Sequence, residues 1–368
     1  MIEFKDLTLR EGSQVPGLRI SEETGIRVLD DLATLDVDRV EVSFPRARPR
    51  ESWYRHADEL GLRTAALARA TAEDVDAALT VAPDEIEVAM TSSDIQLEHA
   101  LGKRREQARD ALVSNLTRAL DGGVDAGVAL MDAIRADDDF LVATARAAVG
   151  AGAKHVTLAD TTGVGTPAAV RETVGAVAAE IGGEAAVAIH THDDMDVATA
   201  NAAAGVTAGA TSVDVTVGGV GERAGNAPLE ALAVLLAERG DDPALALDSL
   251  APVCRRVHEH LGIDVPPGTP VVGERAYRHE SGMHTAAMLR EPSTYEPFDP
   301  VDYGGRRELL FGEETGRGAV RSLLAAAGRE PTDEAITETL SAIEEAATER
   351  GEPLDEDEAR QLVRTTDR

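Results

Sequence analysis

Ile189-His190-Thr191-His192-Asp193-Asp194 closes an apolar run that begins at Ala185. Side chains alternate along a β-strand, so His190 and His192 leave the same face. If the strand belongs to a closed barrel, both imidazoles can reach one metal ion from its carboxyl end. The bland alternative is a polar strand end carrying two solvated histidines, and a lone His-x-His does not exclude it. The decision comes from the segments on either side.

Working outward, the same strand–helix unit recurs. Ile2 to Leu9 alternates and runs into Arg10-Glu11-Gly12, and Ser21-Glu22-Glu23 caps a helix to Leu35 with Ile26, Leu29 and Leu32 on one face. Further strands are expected at Arg39–Phe44, Arg63–Leu67, Glu85–Met90, Gly127–Met131, His155–Ala159 and Ser212–Val217. The helices expected between them are Thr71–Leu79, Lys103–Leu120, Asp138–Val149, Pro167–Ile181 and Val197–Ala208, and one ending at Ala237 closes the set. Eight such units within about 240 residues match a TIM barrel. A doubly wound open sheet would place a glycine-rich loop after its first strand, where this chain has Arg10-Glu11-Gly12. The fold expected is therefore α/β: a TIM (β/α)8 barrel followed by a smaller, mainly helical C-terminal appendage.

The 368 residues exceed one ordinary domain. Asp241-Asp242-Pro243 marks a boundary, and a helix from Leu245 to Leu261 follows it. Pro266-Pro267-Gly268 then opens an irregular segment to Gly318, before helices at Ala319–Ala327, Asp333–Arg350 and Asp355–Val363. The expected division is residues 1–240, 241–318 and 319–368. The formal charge is −31, with three lysines (Lys5, Lys103, Lys154) among 36 basic residues and 67 acidic ones. Such a surface suits high salt and a halophilic setting. It argues against nucleic acid and against anionic membranes, whose phosphates it would repel. A single cysteine, Cys254, excludes an internal disulfide and a multi-cysteine metal site. With no signal peptide and no long apolar span to be read, a cytoplasmic protein is expected.

In a barrel the chemistry gathers at the carboxyl ends of the strands. There lie Arg10 and Glu11, Ser93 and Asp94, Asp132 and Arg135, Asp160 to Thr162, the two histidines, and Glu222 to Asn226. Two neutral imidazoles and a carboxylate form the ligand set of a divalent cation acting as a Lewis acid. Glu11 is the carboxylate of choice. Asp194 is assigned to orient a histidine from behind, and Arg10 to stabilise a developing oxyanion.

Asp6-Leu7-Thr8-Leu9-Arg10-Glu11-Gly12, His190-x-His192-Asp193-Asp194 and Gly219-Val220-Gly221-Glu222-Arg223-Ala224-Gly225-Asn226 together resemble the 2-isopropylmalate, homocitrate and citramalate synthases. The resemblance implies that Glu11, His190 and His192 bind a divalent ion (Mg, Mn or Zn) with Asn226 close by. It also implies that Arg10 polarises a 2-oxo acid carbonyl, that Thr162 sits near the substrate carboxylate, and that acetyl-CoA is the co-substrate. Glu280-Ser281-Gly282-Met283-His284 and Tyr295-Glu296-Pro297-Phe298-Asp299-Pro300 are similar to the family's acid/base segments, so His284 and Tyr295 become catalytic candidates within a domain-exchanged homodimer. Glu at position 11 is the homocitrate-synthase form of a site that is usually Asp in isopropylmalate synthases.

The chain also departs from that pattern. Ala129-Leu130-Met131-Asp132-Ala133-Ile134-Arg135 replaces Ser-x-Glu-Asp-x-x-Arg, so the Glu partner of the catalytic His becomes Met131. The Arg that anchors the distal carboxylate of 2-oxoglutarate falls at Gly127, leaving Arg69 and Arg135 as the remaining candidates. Leu67-Ala68-Arg69-Ala70 is closer to the isopropylmalate-synthase pattern, and Gly312-Glu313-Glu314-Thr315-Gly316 replaces a basic segment. The leading expectation is a condensing acyltransferase of amino-acid biosynthesis. The alternatives are a hydroxymethylglutaryl-CoA lyase-like enzyme, whose catalytic Cys has no counterpart in Gly218–Asn226, and a non-catalytic paralogue.

Overall fold

The computed structural model describes residues 1–365. Eight parallel strands, β1 (Glu3–Asp6), β2 (Arg39–Ser43), β3 (Arg63–Arg69), β4 (Glu85–Thr91), β5 (Asp125–Met131), β6 (His155–Asp160), β7 (Ala186–Thr191) and β8 (Ser212–Val215), close into a barrel in sequence order. Phe4 to Asp6 pair with Val213 to Val215, which completes the ring. The expected TIM barrel is therefore present. Outward-facing Val40, Val42, Ile86, Val88, Val128 and Leu130 are buried beneath the flanking helices.

Several boundaries differ from the sequence expectation, each for a local reason. The first strand stops at Asp6, because the Asp6 carboxylate accepts hydrogen bonds from both the backbone N–H and the hydroxyl of Thr8. Residues Thr8–Gly12 form a helical turn instead, and that turn carries Arg10 and Glu11. A helix at Glu51–Leu60 has no counterpart in the sequence reading. It follows Pro45 and Pro49, and its start at Arg50 has a left-handed backbone and no capping side chain, so no start signal marks it. Its Trp53 packs where a Cβ on Gly25 would stand, 2.2 Å from the indole ring. After β4 a π-helical turn, Leu97–Leu101, precedes the helix Arg105–Asp121.

The chain divides into two compact units, Met1–Asp264 and the residues from Val265 on. The helix Leu250–Leu261 thus belongs with the barrel, and it begins five residues later than the spacing suggests, after a short 3-10 turn. The second unit folds around Phe311, Val320, Leu323, Leu324, Ile336 and Ile343. Its helices are Gly282–Met288, Arg317–Ala326, Asp333–Arg350 and Glu356–Thr365.

The barrel interior is charged. Lys5, 1% exposed, lies 2.9 Å from Glu87, 3.2 Å from Asp214 and 3.7 Å from Glu41. Burial alone would lower the Lys5 pKa, but Asp214, Glu87 and Glu41 outweigh it and raise the value. Removing one partner of a buried ion cluster leaves the others uncompensated. Lys5→Met should therefore cost about 3–5 kcal/mol, seen as a lower thermal midpoint. An unchanged midpoint would show that the carboxylates do not depend on Lys5.

Candidate metal and active site

The two histidines arrive as the strand alternation requires. His190 stands one residue before the end of β7, beside Asp214 of β8, and His192 follows the strand in an isolated bridge to Asn226. Their Nε2 atoms are 3.3 Å apart, and Glu11 Oε1 is 4.0 Å from His190 Nε2. Ligand atoms of Glu11, His190 and His192 all lie within 4.8 Å of one another, and all three residues are buried. Asn226 donates from Nδ2 to His190 Nε2 at 3.3 Å. The four residues expected at a metal therefore converge.

The donor set fits a divalent cation. Glu11 Oε2, His192 Nδ1 and Asn226 Oδ1 are buried without a hydrogen-bond partner among the described residues, which a buried acceptor tolerates only at a cost. Burial, with His190 beside it, pushes His192 down to about 4, so its imidazole is neutral at pH 7. Burial works to raise the Glu11 carboxyl, but Arg10 and the imidazoles outweigh it and hold it below its usual value. In the connected ion pairs, two cations (Lys5, Arg10) face four carboxylates (Glu11, Glu41, Glu87, Asp214). Burial pushes Glu41 up to about 7, so the cluster carries a net negative charge short of the full count, which a divalent ion would offset.

Arg10 is fixed on both sides, donating from Nε to Glu41 and from its terminal nitrogen to Glu11. His190 Nδ1 lies 3.3 Å from Asp214 Oδ2, an arrangement that turns the Nε2 lone pair toward Glu11, His192 and Asn226. This corrects the role given to Asp194, which is forked by Arg223 at 2.8 and 2.9 Å instead. Arg223 also donates to the Thr161 carbonyl, so it ties together the loops after β6, β7 and β8. Glu41, Asp214 and Lys5 were not found by the sequence reading. The available signal was strand parity: Val40-Glu41-Val42 and Val213-Asp214-Val215 each place one acid on the inward face.

Thr162 stands just beyond β6, and its hydroxyl is buried without a partner among the described residues. Arg135 is already committed, since it forks onto Asp132 at 2.7 and 2.8 Å. Arg69 is likewise held by Asp74 at 2.6 Å. At Gly127 an added Cβ would lie 2.1 Å from the ring of His155, which shares a 3.1 Å hydrogen bond with Glu87. In the second unit, His284 and Tyr295 stack with ring centroids 3.9 Å apart and planes 24° apart. Cys254 is buried in the helix Leu250–Leu261 and is not part of the Gly218–Asn226 segment after β8.

Two family models match the chain. Residues 1–257 match the HMGL-like model, and residues 271–351 match the "Homocitrate synthase post-HMGL domain-like" model. A "Homocitrate synthase AksA" of Methanopyrus kandleri is 40% identical over 342 residues, 92% of this chain and 86% of the relative. A "2-isopropylmalate synthase" of Sulfurisphaera tokodaii is 35% identical over 98% of this chain and 95% of its own length. A "Putative (R)-citramalate synthase CimA" of M. kandleri is 33% identical over 98% of this chain and 72% of its own. Among solved structures, a hydroxymethylglutaryl-CoA lyase from Pseudomonas aeruginosa superposes with TM-score 0.64 at 25% identity, covering 72% of this chain and 94% of that one. An HMG-CoA lyase from Brucella melitensis gives 0.62 at 22%, covering 71% and 97%, and shows the barrel fold alone.

The geometry makes a direct prediction about metal. Asp214→Asn, which weakens the acceptor behind His190, should lower divalent-metal affinity about 10- to 100-fold, read by competition with a chromogenic chelator. His192→Ala should lose the ion outright in elemental analysis. Full occupancy in both variants would remove these residues from the site.

Proposed function

The chain belongs to the HMGL-like family, among relatives named homocitrate, 2-isopropylmalate and citramalate synthases, and on that premise we propose that it condenses acetyl-CoA with a 2-oxo acid. The products are a 2-hydroxy acid carrying the added carboxymethyl group, and free CoA after thioester hydrolysis. The convergence of Glu11, His190, His192 and Asn226 beside Arg10 is the observation that carries this reading. Those four residues would hold the divalent ion, which when bound supplies Lewis-acid polarisation of the substrate carbonyl. Arg10, immobilised by Glu41 and Glu11, presents a fixed positive charge to the keto oxygen as it becomes an alkoxide. Thr162 offers its unpartnered hydroxyl to the substrate carboxylate. The stacked His284 and Tyr295 take the methyl proton of acetyl-CoA and manage the proton balance of hydrolysis. A lyase reading is disfavoured, because Gly218–Asn226 contains no cysteine and Cys254 is buried.

For the substrate, the reading is a monocarboxylic 2-oxo acid with an apolar tail, such as 2-oxoisovalerate or pyruvate. A second carboxylate in the barrel mouth needs a partner, since an unpaired buried charge costs several kcal/mol. His155 fills the space at Gly127, and both Arg69 and Arg135 are already engaged by aspartates. Glu11 and the 40% identical homocitrate synthase favour 2-oxoglutarate as the second reading. Measured as CoA release in molar salt, kcat/KM should be higher for at least one of the two monocarboxylates than for 2-oxoglutarate. The reverse order would make Arg69 or Arg135 the distal anchor.

The His284–Tyr295 pair of each subunit is proposed to serve the barrel of its partner in a domain-exchanged homodimer. Inactive His284→Ala and Arg10→Ala subunits should then regain activity when mixed, because each mixed dimer holds one complete site. Heterodimers confirmed by native mass spectrometry but lacking activity would place the pair and the barrel it serves in one chain.

A further inference from the structure

Acidic residues outnumber basic ones 67 to 36 in this chain, yet basic residues crowd three neighbouring loops at the carboxyl mouth of the barrel. Arg46, Arg48 and Arg50 follow β2, Arg69 ends β3, and Lys103, Arg104 and Arg105 follow β4. A cavity of about 440 Å³ opens among these loops. Its apolar lining includes Ala89 of β4 and Met131 at the end of β5, and its polar lining sets Arg46, Arg69 and Lys103 beside the acids Glu73 and Asp74.

The charges here are unequally used. Asp74 takes Arg69 at 2.6 Å and lies 3.8 Å from Arg46. Asp94 and Asp137 take Arg105. Lys103 and Arg104 have no carboxylate partner among the described residues. Lys103 is positioned by the π-helical turn Leu97–Leu101 and the left-handed Gly102 (φ 62°), and its backbone N–H donates back to Leu97 at 3.0 Å. Such turns recur at functional sites. A half-buried lysine left without an acid in so acidic a protein is a cation kept for an external anion.

Acyl-CoA combines a nearly neutral pantetheine arm with a highly anionic nucleotide end. A protein of charge −31 repels that end at long range. In molar salt the screening length falls to about 3 Å, so only direct contacts with cations can hold it. A cleft at the barrel mouth with both apolar lining and a free lysine suits a ligand of that polarity. We propose that the Arg46–Arg69–Lys103 cleft is the docking site of the phosphate-bearing end of acyl-CoA, with Lys103 as its main phosphate contact. This assignment rests on the condensing-enzyme reading of the barrel. The other source of a matching anion is the distal carboxylate of a dicarboxylic 2-oxo acid, and the test separates the two.

The experiment is calorimetric titration of the full chain, wild type and K103E, with CoA, with 2-oxoisovalerate and with 2-oxoglutarate. Charge reversal at one charge-assisted phosphate contact should weaken CoA binding about 10- to 100-fold, while the preferred 2-oxo acid binds as before. Arg46→Glu, on the other side of the cleft, carries the same expectation should K103E fold poorly. Unchanged CoA affinity in both variants overturns the proposal. So does a loss confined to 2-oxoglutarate, which would give the cleft to a substrate carboxylate. A wild-type protein that binds no CoA would instead overturn the condensing-enzyme reading on which the proposal stands.

Discussion

The active face depends on one buried ammonium group. Lys5 touches Asp214 on one side and Glu41 on the other. Asp214 stands behind the metal-ligand candidate His190, and Glu41 holds Arg10. Arg10 and His190 are thus registered against each other through a single lysine in the barrel wall. Were the interior filled with Val, Ile and Leu, as most TIM-barrel layers are, neither Arg10 nor His190 would have a charged support from below. The ionic interior is expensive in desolvation, and its return is that both groups are held in place before substrate arrives.

How much of this was legible in the sequence follows from the range of the interactions involved. The eight units and the convergence of Glu11, His190 and His192 could be read because strand periodicity and the strand-to-loop position are local signals, whereas Asn226 came from the motif resemblance alone. Thr8 and Leu9, which open the turn Thr8–Gly12, were misread as the end of the first strand. The turn's cause, Asp6 binding Thr8, is local too, but it has the same composition as an alternating strand. The helix Glu51–Leu60 was missed because Arg50 gives no cap signal and two prolines precede it.

What the sequence could not supply was pairing. Asp194 and Asp214 are both acids near a histidine in a motif. Only three-dimensional placement assigns Arg223 to the first and His190 to the second. Likewise Arg69 and Arg135 look free on paper, and each turns out to be held by an aspartate three to five residues away. Those two short-range pairs change the substrate argument more than any strand boundary does.

The tight fit between Gly127 and His155 has an evolutionary consequence. Introducing an arginine at 127 alone would drive its Cβ into the His155 ring, and trimming His155 first would take a hydrogen-bonding partner from the buried Glu87 carboxylate. Each single step is disfavoured, because a side chain at 127 and the ring at 155 compete for one space. The residues at 127 and 155 are therefore coupled, since a side chain at the first needs a smaller group at the second. Sequences of this barrel should change at the two positions together, with few intermediates.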